Sequence, residues 1–293
     1  MGKVYEAKLK SEKERSGGAA GLGLATAEAR TKEESDKAVD EFDFIRYSLH
    51  TPKAVEINHI QREIEAANLA RKKQAQPARE VSVDPLRIDP HLVAFNEAEP
   101  VAADEFGKLA GSLIAAKADR DLKRLLIASA RHGEGRTTVS LNLACTLARA
   151  GKSVLLVDTD FRRPSVTRLL GIEADLGIAE AAAQKKAPGE AALKIQPHGF
   201  VVLPSRGRVD NPAELIVSNA FQDMLAALDP DYEFILFDSS PLLSSNDVAL
   251  LKRLTSATLL VIKAGETTSG DLGKAIGPLT QEDLFGVVLN RVS

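Results

Sequence analysis

The sequence has 293 residues, a length that fits one large α/β domain or one domain with an extended arm. Hydrophobic residues make up 44% and charged residues 27%, as in globular proteins, and the net charge of −3 gives no argument for a nucleic-acid partner. The single cysteine, Cys145, excludes an intrachain disulfide. A polar N-terminus and no apolar run of about 18 residues argue against a secretory signal and a membrane span. We therefore expect a cytoplasmic protein.

The first hundred residues divide into two segments. Residues 1–53 are charged, with a patch of small residues at 17–29, and this composition predicts a disordered arm. Within 54–103, apolar residues up to Leu69 recur roughly at helical spacing and predict one amphipathic helix. This helix could dock on the main domain or on a partner, or lie frayed in solvent. Prolines at 77, 85, 90 and 100 then predict an extended linker.

Residues 104–293 have the pattern of a nucleotide-binding α/β domain, beginning with a helix at 104–118. Short apolar segments alternate with helical stretches, and the predicted strands are 123–129, 152–158, 200–204, 232–238, 257–264 and 285–292. Such alternation is typical of a mostly parallel sheet with helices on both faces. Ligands bind at the carboxyl ends of such strands, where Asp158 and Asp238 are expected.

The stretch ASARHGEGRTTVSLN, residues 128–142, has the pattern of a phosphate-binding loop between a strand and a helix. Gly133 and Gly135 allow the backbone to approach a phosphate, and the helix N-terminus favours an anion. Thr137 is placed to ligate Mg²⁺. However, Arg136 stands where the pattern has lysine. Because arginine is planar and bulkier, we expect nucleotide binding to survive more readily than turnover.

Three stretches together resemble the bacterial tyrosine kinases of capsule and exopolysaccharide synthesis, relatives of the partitioning and cell-division-site ATPases. They are the loop at 129–137, VLLVDTDFRRPSV at 154–166 and FILFDSSPLLSSNDVALL at 234–251. The most specific element is D-x-D-F-R-R-P, and the resemblance covers about residues 88–293. It implies a three-layer P-loop NTPase fold, with ATP or ADP and Mg²⁺ as ligands.

The resemblance also assigns site residues. It implies that Asp158 and Asp160 are catalytic and that Thr137, Asp158 and Asp238 bind the metal. The expected nucleotide-binding residues are Gly133, Glu134, Gly135, Arg136, Thr137 and Thr138. Further candidates for phosphate or partner contacts are Arg131, Arg162 and Arg163. For Arg131 the alternative is a solvent-facing side chain, and for Arg162 and Arg163 it is pairing with Asp160.

A membrane chain-length regulator of polysaccharide export is the partner that the resemblance implies, so the protein would lie peripherally at the inner face of the plasma membrane. Homo-oligomers are a further expectation, since the family assembles through an E-x-x-R-x-x-R helix. The corresponding positions here are Glu105, Lys108 and Gly111, so only part of that motif is present.

Other departures from the family pattern concern the site itself. His132 and Ser240 stand where the family has proline, and no tyrosine cluster lies near Ser293. With Arg136, these features predict weak or lost kinase activity. We therefore favour a nucleotide-binding regulator of polysaccharide polymerisation and export. The alternatives are an active ATP-dependent protein-tyrosine kinase and a partitioning-type dimerisation switch.

Overall fold

A computed structural model describes residues 78–96 and 99–291. The predicted arm at 1–53 and the predicted amphipathic helix at 54–74 lie outside the described residues. Among the residues described, no helix is long and apolar enough to cross a membrane.

An eight-stranded sheet forms the centre of the described chain. Its strands are β1 (Arg79–Ser82), β2 (Arg124–Ser129), β3 (Val154–Asp158), β4 (Leu193–Gln196), β5 (Val201–Leu203), β6 (Phe234–Asp238), β7 (Ala257–Lys263) and β8 (Leu284–Asn290). Their order across the sheet is β1-β4-β5-β3-β6-β2-β7-β8. Only the β4–β5 pair is antiparallel among these neighbours. The mostly parallel sheet is therefore confirmed.

Helices cover both faces of this sheet. They are α1 (Pro100–Ala116), α2 (Arg136–Arg149), α3 (Val166–Leu170), α4 (Ile178–Ala183), α5 (Pro188–Ala191), α6 (Pro212–Val217), α7 (Asn219–Leu228), α8 (Asp247–Lys252) and α9 (Ser269–Ile276), with a 3₁₀ turn at Asp229–Asp231. Apolar residues of α1, α2 and α3 form one core with one face of the strands, and those of α4, α7 and α8 form a second core with the other. This arrangement is the predicted three-layer architecture.

Alternating strand residues divide between the two cores. In β3, Val154 and Leu156 pack on the α2 side, whereas Leu155 and Val157 pack on the α7 side. Because side chains alternate between the faces of a strand, a run that is apolar at every position fits only a sheet covered on both sides. The central strands therefore specify the three layers directly.

Two elements near the N-terminal edge differ from the sequence-based expectations. The predicted linker contains β1, which pairs in parallel with β4 from Arg79↔Leu193 to Ser82↔Gln196. Helix α1 begins at Pro100, four residues before the predicted start of the domain at 104. The described part of the linker thus contributes an edge strand to the same sheet.

Candidate nucleotide-binding site

Three neighbouring strands bring the predicted acidic residues to one edge of the sheet. β3, β6 and β2 are adjacent, and Asp158 and Asp238 are register partners at the ends of β3 and β6. The loop that follows β2 leads into α2 at the same edge. Asp160 lies two residues beyond β3, and all three aspartates are buried. The convergence of strand ends predicted from the sequence is therefore present.

The loop after β2 has the backbone of an anion-binding turn. Gly133 and Gly135 have φ angles of 81° and 90°, a region that side chains strongly disfavour. Gly135 precedes the first residue of α2, and no side chain in the described part of the chain caps that helix N-terminus. The first-turn N–H groups of α2 therefore remain available to an anion.

Two residues brace this loop against the β7–β8 side of the sheet. The buried Glu134 carboxylate accepts hydrogen bonds from the Arg131 backbone N–H at 2.9 Å and from Thr267 Oγ1 at 2.5 Å. Asn290 Nδ2 donates to the Glu134 carbonyl at 2.9 Å and lies so close to Gly135 that a Cβ there would come within 2.1 Å of it. The side chain of Glu134 thus fixes the loop conformation, and neither Asn290 nor Thr267 was predicted as a contact of this loop.

Hydroxyl groups surround Asp238. Thr137 Oγ1 donates to Asp238 Oδ2 at 2.7 Å, and Ser140 Oγ, one turn later on α2, donates to Oδ1 at 3.1 Å. Ser165 Oγ in turn donates to Thr137 Oγ1 at 3.0 Å. Thr137 and Asp238 were predicted to share a metal, and the structure places them in direct contact. Ser140 was not predicted, although its position three residues after Thr137 on one helix face could have indicated it.

Burial raises the pKa values of Asp158 and Asp238. Burial raises the pKa of Asp238 to about 6, although the Arg136 charge and the Thr137 hydrogen bond act in the opposite direction. Burial, followed by the charge of Asp238, raises the pKa of Asp158 well above its usual range. Asp158 accepts backbone N–H bonds from Asp160 and Val166, at 3.3 and 3.2 Å. The charged forms of these two carboxyls are therefore disfavoured at this edge, and a bound cation would stabilise them.

Arg136 lies buried across the same edge and pairs with Asp160. Its Nη2 donates to Asp160 Oδ2 at 3.0 Å, and its Nη1 donates to Ser129 Oγ at 2.6 Å. Arg136 Nε is buried without a hydrogen-bond partner in the described structure. Ser240 Oγ donates to the other carboxylate oxygen of Asp160, Oδ1, at 2.8 Å, and the Arg163 backbone N–H does so at 3.2 Å. Two departures from the family motifs, Arg136 and Ser240, therefore bind the same carboxylate.

The remaining arginines take partners that the sequence did not indicate. Arg131 forms two 2.8 Å contacts with the carboxylate of Asp271, which lies in the first turn of α9. Arg162 Nε donates to Asp247 Oδ2 at 2.9 Å. Arg162 therefore pairs with Asp247 and not with Asp160, so the expected pairing of Arg162 with Asp160 is wrong. Arg163 reaches Asp160 only through its backbone N–H.

Thr138 and His132 flank the segment from Gly133 to Thr137. Thr138 is half-buried, and its carbonyl accepts a hydrogen bond from Asn142 at 2.9 Å. The pKa of His132 is lowered by partial burial and by the positive charges of Arg136 and Arg163. A neutral His132 is therefore the favoured form near neutral pH.

The donor set at this edge fits Mg²⁺ only together with a ligand. Within the described ranges, no group of three or more His, Cys, Asp or Glu side chains is arranged to hold a metal. Mg²⁺, however, is commonly bound by one or two carboxylates with substrate phosphates and waters. Thr137 and Asp238 supply one hydroxyl and one carboxylate beside the anion-binding turn, so the residues present fit that mode.

Comparison with known proteins supports the assignment of the fold. Residues 122–270, half of the chain, match a family model described as an AAA domain. The sequence is 29% identical over 206 residues to tyrosine-protein kinase YwqD of Bacillus subtilis. This alignment covers 70% of this chain and 87% of YwqD. It is 31% identical over 177 residues to tyrosine-protein kinase CpsD of Streptococcus pneumoniae, covering 58% of this chain and 77% of CpsD. The chain belongs to the family of bacterial tyrosine-protein kinases.

Solved structures agree with this family membership. The crystal structure of the VpsO kinase domain superposes with a TM-score of 0.59 at 30% identity, covering 64% of this chain and 93% of that one. The kinase domain of the Escherichia coli tyrosine kinase ETK gives a TM-score of 0.63 at 23% identity, covering 76% and 94% of the two chains, and shows the shared fold. The P-loop NTPase fold expected from the motifs is therefore confirmed.

Proposed function

We propose that this member of the family binds ATP or ADP with Mg²⁺ and acts as a regulator with weak or no kinase activity. The observation that carries the proposal is the pairing of Asp160 with Arg136 at 3.0 Å and with Ser240 at 2.8 Å. Family membership assigns Asp160 to the catalytic centre. A carboxylate that accepts a proton needs a free oxygen directed at the donor, and both oxygens of Asp160 are already engaged.

Nucleotide binding is supported by features that do not depend on Asp160. The turn at Gly133–Gly135 and the uncapped start of α2 suit the phosphates. Thr137 and Asp238 would hold Mg²⁺, which neutralises charge on the phosphates when bound. Asp158, held by two backbone N–H groups, would lie behind them, and because burial raises its pKa it would carry its negative charge most readily when a cation is bound. Thr138 and Glu134 would support the loop rather than contact the metal.

The side chain of Arg136 explains why the protein would bind nucleotide and yet turn over ATP weakly or not at all. A lysine in this position is a compact point charge on a flexible stem, whereas the planar guanidinium is suited to bidentate pairing. Arg136 is only 7% exposed and is bonded on both sides, to Ser129 and Asp160. Its charge would remain near the phosphates, but its Nη1 and Nη2 donors point at protein groups.

The biological role follows from the family. We infer that the chain acts with a membrane chain-length regulator in polysaccharide polymerisation and export, in the cytoplasm at the inner face of the plasma membrane. Homo-oligomers remain part of this proposal. On α1, Lys108 pairs with Glu105 on the exposed surface, which leaves both side chains at a face where a second subunit could contact them.

The test is a titration of the purified protein with a fluorescent ATP analogue, with and without Mg²⁺. The proposal predicts saturable, Mg²⁺-strengthened binding that Thr137→Ala weakens and Arg136→Lys retains. An exposed control on α7, Asp223→Asn, should behave as the native protein. No binding by the native protein, with recovery in Arg136→Lys, would show that the loop no longer holds nucleotide.

The second candidate is an active protein-tyrosine kinase, and the contacts of Asp238 favour it. Thr137, Ser140 and Asp238 form a connected set of hydrogen bonds like that of a metal-ready site. Phosphotyrosine on the protein after incubation with Mg²⁺ and ATP, absent in Asp238→Asn, would support the kinase over the regulator.

A further inference from the structure

A small basic cavity lies beside the loop, next to His132 and Ser240. Its volume is about 200 Å³, and its lining residues are His132, Arg162, Arg163, Arg208, Ser240, Pro241, Ser244 and Ser245. It shares only His132 with the loop and includes none of the residues from Gly133 to Thr138. We call this cavity the arginine cavity.

Charge in the arginine cavity is positive and only partly compensated. Arg162 is paired with Asp247 at 2.9 Å, which holds its guanidinium in place. The side chains of Arg163 and Arg208 have no hydrogen-bond or ion-pair partner within the described structure, and no carboxylate lines the cavity. Guanidinium groups match the oxygens of phosphate groups in bidentate geometry, and serine hydroxyls can donate to the same oxygens.

The size of the cavity restricts its ligand. Pockets for drug-sized ligands occupy roughly 300–1,000 Å³, so about 200 Å³ is too small for a complete nucleotide. It is large enough for a phosphate group with a small substituent. Two of its lining residues, His132 and Ser240, stand where the family pattern has proline, which has no donor to offer a ligand. The polar lining therefore includes two positions at which this chain departs from the family pattern.

We propose that the arginine cavity binds a phosphate dianion, either free or carried as a monoester, at a subsite separate from the nucleotide loop. Arg163 and Arg208 hold the phosphate oxygens, Arg162 is positioned by Asp247 to contribute a third guanidinium, and the Ser244 hydroxyl donates a further hydrogen bond. The dianion has two sources that share this chemistry: free inorganic phosphate, and a phosphate carried on a side chain. The proposal stands whether or not the loop binds nucleotide.

The experiment is calorimetric titration of the full chain, without nucleotide, with inorganic phosphate, methyl phosphate and phenyl phosphate. We expect saturable binding that the double variant Arg163→Gln/Arg208→Gln weakens at least about tenfold, as expected for lost charge-assisted hydrogen bonds. Arg206→Gln removes the same charge from the same loop outside the cavity and should change affinity less than about twofold. Tighter binding of phenyl phosphate than of inorganic phosphate identifies a side-chain phosphate, and equal binding identifies the free ion.

An Arg136→Gln variant separates this subsite from the loop. Binding that persists in Arg136→Gln and is lost in the double variant supports the arginine cavity. Binding that is lost in Arg136→Gln but kept in the double variant places the anion at the loop and overturns the proposal. Absence of saturable binding by the native protein, with circular dichroism showing it folded, also overturns it.

Discussion

The two sides of the candidate site differ in how far they follow the family pattern. Around Asp238, the partners Thr137 and Ser140 are hydroxyls on α2, which can release the carboxylate to a metal by rotating. Around Asp160, the partners are a buried guanidinium and the Ser240 hydroxyl, both at positions where this chain departs from the family. The comparison teaches that the proposed metal side can retain its role while the proposed catalytic side is held by internal bonds.

The largest expected effect concerns the Asp238 side. Asp238→Asn removes the proposed metal carboxylate while preserving hydrogen bonds, because the Thr137 and Ser140 hydroxyls can accept from an amide. The strengthening of nucleotide binding by Mg²⁺ should fall roughly 100-fold. Isothermal titration with and without Mg²⁺ measures it, and Asp223→Asn is the control. Unchanged Mg²⁺ dependence would place the metal elsewhere.

The next effect concerns the Asp160 side. Arg136→Gln removes the buried cation that pairs with Asp160 and whose charge acts on Asp238, and should lower the free energy of unfolding by about 3 kcal/mol. If Arg136 acts as a built-in counter-charge, added Mg²⁺ should restore more stability to this variant than to the native protein. Chemical denaturation with EDTA or Mg²⁺ measures both quantities, and an equal Mg²⁺ effect in the two proteins would contradict this role.

The pH dependence tests the same balance of charge. Because the pKa of Asp238 is raised from 3.8 to about 6, the folded state binds its proton more tightly than the unfolded state does. The contribution of protonated Asp238 to the free energy of unfolding is complete below pH 3.8 and is lost as the pH rises through about 6. In EDTA, Asp238→Asn should therefore be more stable than the native protein at pH 8, by about 1–3 kcal/mol. This advantage should vanish near pH 4, as denaturation curves at the two pH values would show.

The smallest effect concerns the loop that joins the two sides. Gly135→Ala introduces a Cβ that collides with Asn290 Nδ2 at a φ of 90°, and Asn290→Ala leaves the Glu134 carbonyl without its donor. The double variant should lose less stability than the sum of the single variants, by about 1 kcal/mol. Strict additivity of the three unfolding free energies would show that Asn290 does not restrict Gly135.

The central sheet was predictable because β2, β3, β6 and β7 are apolar at nearly every position, a pattern that fits strands covered on both faces. Two short strands were missed. β1 is an exposed four-residue edge with one inward apolar side chain, Val81, and β4 alternates between buried and half-buried residues, so neither has a strong local signal. β1 pairs only with β4 among the described strands, and β4 pairs with both β1 and β5, so both strands depend on partners distant in the sequence.

The site was predictable to the extent that it depends on strand ends. Asp158 and Asp238 close two apolar strands, and the glycine turn closes a third, so their convergence follows from the sheet rule. The direction of Arg136 was not predictable, because it depends on Asp160 and Ser129, which belong to other segments. The same holds for Ser240, whose role appears only once β6 is placed beside β3.

The central claim is that Arg136 and Ser240 together withdraw Asp160 from catalysis. The most direct measurement compares Mg²⁺-dependent ATP turnover and tyrosine autophosphorylation of the native protein with those of Arg136→Lys/Ser240→Ala. The account predicts background turnover in the native protein and a rise of at least about tenfold in the double variant, abolished by adding Asp160→Asn. Robust native turnover that the double variant does not increase would contradict the account and identify an active kinase.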